Sequence, residues 1–84
     1  MDFIEFMDLD NRGKAFAVWH YGTFLVERFD QTHKIKLYAV GNFYVEAMYP
    51  LNSHMITEMR SFKEIKYLEP YLELIELKEL IAAS

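Results

Sequence analysis

Glu46 is the one acid in an otherwise apolar run, Phe43-Tyr44-Val45-Glu46-Ala47-Met48-Tyr49. A carboxylate placed there can act as a general base, anchor a ligand, or be neutralised by a partner, because uncompensated burial raises its pKa. Arg28 and Arg60 are the bases most readily brought to it. No nucleophile elbow and no glycine-rich phosphate loop accompanies it, and the chain has no cysteine. Pairing is therefore the favoured reading, no catalytic residue is assigned, and an enzyme is the least favoured class. No cofactor is implied.

Two other groups of residues invite a metal and do not sustain one. Asp8-Leu9-Asp10-Asn11-Arg12-Gly13 begins like a calcium loop, but Arg12 takes the fifth ligand position and Trp19 the twelfth. Helix capping by Asp8 or Asp10 is the simpler reading. His20, His33 and His54 show no helical spacing to one another. His33 and His54 can share one end of a sheet, but a third ligand is missing, so no metal site is assigned.

The aromatic residues are the larger signal. Tyr38, Phe43, Tyr44, Tyr49, Tyr67 and Tyr71 are interleaved, in mid-chain, with Arg28, Lys34 and Lys36. Aromatics beside bases can stack single-stranded nucleic acid. A net charge of −4 argues against that, since phosphate binding needs a basic patch. Core or protein interface is the preferred role. Met7, Met48, Met55 and Met59 could line an adaptable groove, but read more simply as packing.

These residues must be positioned by an α+β domain. Phe3, Phe6 and Met7 recur at helical spacing, and a second helix is predicted from about residue 10 to 21, with Gly22 as a left-handed C-cap. Alternation then takes over in residues 23–30, 34–40, 43–49 and 55–62, giving a four-stranded antiparallel meander. Gly41-Asn42 fits a type II′ hairpin turn. Val40 then faces Phe43, Leu37 faces Glu46, and Val26 faces Leu37. One sheet face carries Phe24, Val26, Ile35, Leu37, Ala39 and Met48, with Met55 and Met59, and Glu46 with Thr57 beside it. The other carries Leu25, Phe29, Tyr38, Val40, Phe43, Val45 and Tyr49. The first is the better core, and a one-residue slip would exchange them. Ser61-Phe62-Lys63-Glu64 matches a capping box, and Ile65, Leu68, Leu72, Ile75 and Leu80 continue as a C-terminal helix. Pro70 should kink or split it near Glu69. That helix, or helix pair, is expected to pack on the sheet.

The chain is 84 residues long, with 52% apolar and 17% aromatic residues. That length makes one domain with a marginal core, so such apolar content implies an aromatic core or a partner. Absence of cysteine fits a reducing compartment. The acidic start, MDFIEFMDLD, is unlike a signal peptide, and no apolar run spans a bilayer, so a cytoplasmic location is expected and no membrane partner.

Three stretches, Trp19 to Leu25 (W-x-x-G-T-F-L), Leu37 to Glu46 (L-Y-A-V-G-N-F-Y-V-E) and Leu68 to Leu77 (L-E-P-Y-L-E-L-I-E-L), cover about a third of the chain. In them the sequence resembles a group of short uncharacterised bacterial cytosolic proteins. The resemblance implies a one-domain bacterial protein and brings no activity or site with it.

The leading expectation is a non-catalytic protein–protein interaction module that self-associates, using Phe29, Tyr38, Phe43 and Tyr49. One alternative is a binder of a small apolar or aromatic ligand, held between sheet and C-terminal helix and oriented by Glu46. Another is an acidic, antitoxin-like inhibitor of a basic partner, suggested by Asp2, Glu5, Asp8 and Asp10.

Overall fold

The structure, a computed structural model, describes residues 1–72 and 74. Two short helices open the chain. In α1 (Phe3–Met7) the Asp2 carboxylate accepts the Glu5 N–H at 2.8 Å, and in α2 (Asn11–Tyr21) Asp10 accepts the Gly13 N–H at 2.7 Å. Each acid thus satisfies a backbone donor that the first helical turn leaves open. Gly22 is not the left-handed cap expected: its backbone is extended, with φ −83° and ψ 149°. Glycine suits the position for another reason. Its N–H closes on the Val18 carbonyl at 2.8 Å, and a Cβ would run into that oxygen.

Four strands follow, β1 (Thr23–Phe29), β2 (His33–Val40), β3 (Phe43–Pro50) and β4 (Glu58–Phe62), in the antiparallel order β1-β2-β3-β4. Three short turns, among them Gly41-Asn42 as read from sequence, set this order. Gly41 has φ +58° and Asn42 does not share the positive φ, as a type II′ turn requires. Asp30 accepts the N–H groups of Thr32 and His33, and the Ser53 N–H closes on the Pro50 carbonyl. Val40 faces Phe43, Leu37 faces Glu46, Phe29 faces Lys34 and Val26 faces Leu37.

Three placements differ from the sequence reading. The register of β1 shifts between Phe24 and Val26, so Phe24 pairs with Tyr38 and its ring meets the Tyr38 ring edge-on at 5.7 Å. An inserted residue reverses which face its neighbours use. β4 begins at Glu58 rather than residue 55, leaving Met55 exposed, and Met59 lies opposite Ala47 on the second face. Glu46 accordingly faces Arg60, not Thr57.

Both sheet faces are covered, and neither is the sole core. Over the second face, α1 and α2 bring Phe6, Ala17 and Val18 against Val40, Phe43 and Val45. Over the first, Leu37 and Phe62 meet Tyr71, with Val26, Tyr44 and Leu68 around them. The cover on that side is a 3-10 helix, Ile65–Tyr71, with Pro70 inside it. Ser61 and Phe62 belong to β4, so the expected capping box does not form, and Glu64 precedes the helix without a side-chain cap. A threefold turn puts residues i and i+3 on one side. Leu68 and Tyr71, three apart, face the sheet together, whereas Ile65, on the same repeat but at the start of the helix, is exposed, as is Leu72. The expected continuation through Ile75 and Leu80 lies outside the described residues. Among the described residues, no helix is long and apolar enough to cross a membrane.

Candidate functional site

β3 carries Glu46 to the middle of the first face, and the chain brings it partners from both sides. The Tyr71 hydroxyl donates to Glu46 Oε2 at 2.5 Å, and Arg28 Nη2 approaches the same oxygen at 3.5 Å. The Arg28 guanidinium also lies over the Tyr71 ring, 5.2 Å from its centroid. Burial first, then the hydrogen bond to Glu46, pushes the Tyr71 hydroxyl well above the usual tyrosine range. Burial works against the Arg28 charge, but Tyr71 and Glu46 outweigh it and raise its pKa. The triad is thus a held carboxylate with a retained tyrosine proton. Its geometry locks Arg28 and Tyr71 in place and offers no activated nucleophile.

Beside it is a cleft of 390 Å³ between β4 and the 3-10 helix, lined by Arg28, Glu46, Arg60, Ser61, Phe62, Tyr67 and Pro70. Phe62 stacks on Tyr44 at 5.6 Å and meets Tyr67 edge-on at 5.5 Å, so one wall is aromatic. Arg60, the cross-strand neighbour of Glu46, leans instead to Glu58 at 3.5 Å. The Arg28 Nε is buried without a hydrogen-bond partner among the described residues.

The five candidate residues are divided by the fold. Glu46 belongs to the triad. Phe43, 1% exposed, is core, with its ring 5.3 Å from Phe6 and 5.6 Å from Phe3. Its burial beneath α1 withdraws it from any surface. Tyr38 and Tyr49 are half-buried and line a groove of 330 Å³ with Trp19, Phe24, Val18 and Ile56. Burial, then the proximity of Tyr38, raises the Tyr49 pKa, while Lys34 and Lys36 lie over the Tyr49 ring at 5.8 and 5.3 Å. Phe29, 61% exposed, sits at the far end of the edge strand β1 and does not join them.

One surface escaped the sequence reading. α2 turns Ala17 and Val18 inward and leaves Phe16 60% and Trp19 80% exposed. Phe16 stacks on His20 at 5.8 Å and lies 6.1 Å from Trp19. The spacing Arg12, Phe16, Trp19 (i, i+4, i+7) is the signal that these share one outward face.

The remaining sequence candidates have local roles. Asp2 and Asp10 cap helices, and Thr32 Oγ1 lies 2.7 Å from His33 Nδ1. Among the described residues, no group of three or more His, Asp or Glu side chains is placed to hold a metal ion. No family model, curated protein or solved structure matches the chain.

Proposed function

We propose that the protein is a non-catalytic interaction module that self-associates, with α2 supplying the contact. The observation that carries this is the outward face of α2, where Trp19 is 80% exposed beside Phe16. A helix with large apolar side chains on the side away from its own core is one that something else covers. Trp is also the residue type that most often dominates an interface when it sits at the centre of one.

The occupant that fits is a second copy, with the two α2 helices antiparallel. Arg12 lies at the N-terminal end of this face, where its charge opposes its own helix dipole. Antiparallel pairing about Phe16 sets Arg12 of each copy against the C-terminal end of the other helix, where a positive charge is favoured. A two-fold contact of this kind is self-complementary and closes at a dimer. The groove lined by Trp19, Phe24, Tyr38 and Tyr49 adjoins the ridge and extends the apolar area.

Sedimentation velocity over a micromolar concentration series tests the reading. The expected result is a dimer for the native chain, a monomer for Trp19→Ala, and a weakened dimer for Arg12→Glu. A native chain that stays monomeric at high micromolar concentration would overturn it.

A further inference from the structure

On the opposite sheet face, Glu46 and Arg60 present an unusual arrangement. They are direct cross-strand partners of opposite charge. Such partners share a face with Cβ atoms about 5 Å apart and ordinarily pair. Here each is turned away from the other. Glu46 gives Oε2 to Tyr71 and Arg28, and Arg60 leans toward Glu58 on its own strand. Both line the 390 Å³ cleft, together with the rings of Phe62 and Tyr67 and with Pro70. That volume is at the small end of the range for small-molecule sites, about 300–1,000 Å³.

We infer that this cleft binds a free α-amino acid with an aromatic side chain, taken as its zwitterion. Glu46 Oε1 has no hydrogen-bond partner among the described residues and accepts from the ligand's ammonium group. Arg60 holds the ligand's carboxylate, since its planar fork suits that group. Its present contact to Glu58 is long and between side chains more than half exposed, a kind of pair that contributes little and yields readily. The ligand ring lies against Phe62, Tyr67 and Pro70. Glu46 is held at a fixed position by Tyr71 and Arg28, so the acceptor is in place before the ligand arrives. An anion alone would meet the Glu46 charge and a cation alone the Arg60 charge. Arg28 also lines the cleft, but its charge is already met by Glu46, so a ligand carrying both charges matches the site best.

This inference does not depend on the α2 contact, which lies over the other face. The test is a titration of the isotope-labelled chain with L-phenylalanine and L-tyrosine, followed by backbone amide shifts. The expected result is saturable movement of the Glu46, Arg60, Phe62 and Tyr67 signals. N-acetyl-L-phenylalanine and L-phenylalaninamide, each lacking one charge, should bind at least about tenfold more weakly. Arg60→Gln, a change at an exposed position that leaves the core intact, should weaken L-phenylalanine about tenfold or more and leave the amide's affinity unchanged. The inference is overturned by the absence of shifts at millimolar amino acid. It is equally overturned if the N-acetyl derivative binds as well as the free amino acid, or if Arg60→Gln leaves L-phenylalanine binding intact.

Discussion

The Tyr71 hydroxyl donates to Glu46 Oε2 at 2.5 Å across 25 residues of sequence. The bond joins the 3-10 helix to the centre of the sheet, and Arg28 extends it to the edge strand β1. Three elements that share no sequence neighbourhood are thus tied at one oxygen. Tyr71→Phe keeps the packing and removes the donor, so the unfolding free energy should fall by about 1.5–3 kcal/mol, the range for bonds to charged groups. Glu46→Gln weakens both contacts, and the double variant should lose less than the sum of the two. Urea unfolding of the two single variants and the double variant measures the coupling. Strict additivity would show that the two residues are not engaged.

Stability should decline in alkali. Tyr71 and Tyr49 both have raised pKa values in the folded chain, each chiefly through burial. Above the ordinary tyrosine pKa of about 10, the unfolded chain releases these protons while the folded chain keeps them. The unfolded state then binds fewer protons, so the slope of unfolding free energy against pH is negative. Stability is full below about pH 10 and is lost as pH climbs toward the folded values. Denaturant unfolding at stepped pH should show this loss, and Tyr71→Phe should make it shallower. An unchanged slope in that variant would place the loss elsewhere.

Phe43 and Phe29 should behave as opposites despite equal chemistry. Phe43 is enclosed by Phe3 and Phe6, so Phe43→Ala should cost about 3–5 kcal/mol. Phe29 is exposed at the sheet edge, and Phe29→Ala should change stability by no more than about 0.5 kcal/mol. Thermal unfolding of the pair decides it. A large loss in Phe29→Ala would mean that its ring is covered.

The two turn glycines should fail for different reasons. Gly41→Ala places a Cβ at φ +58°, a left-handed conformation that costs about 1–2 kcal/mol for a residue with a side chain. Gly22→Ala suffers no such strain, but its methyl group meets the Val18 carbonyl and should cost about 1–3 kcal/mol through crowding. D-alanine, introduced by chemical synthesis, separates them: it should restore stability at position 41. A D-alanine at 41 no better than the L form would overturn the strain argument.

Much of the sheet was legible because two-residue and short turns fix register locally. Once Gly41-Asn42 is a type II′ turn, the partners of Leu37, Tyr38 and Val40 follow without further information. What failed depended on features with no local signature. The bulge that moves Phe24 beside Tyr38 is one extra residue in an unbroken alternating run. The strand begins only at Glu58, so an alternation started at Met55 places Met59 on the wrong face. The pairing of Glu46 with Arg28 could be named from charge, but its bond to Tyr71 could not, because Pro70 and the 3-10 turn choose which aromatic ring faces inward. The outward ridge of α2 was missed because residue type alone does not say which side chains of a helix point to its own core. Ala17 and Val18 do that here.

Every strand of the meander pairs with its sequence neighbour, and this governs the order in which the chain can assemble. Neighbouring strands close only short loops, the least demanding step in chain entropy. The β2–β3 hairpin can therefore form while the polypeptide is still being synthesised, with α1 and α2 already available to shield Phe43 and Val45. Tyr71 is translated 25 residues after Glu46. Until it emerges, the first face is uncovered and its carboxylate remains in water, so that side of the sheet is completed last.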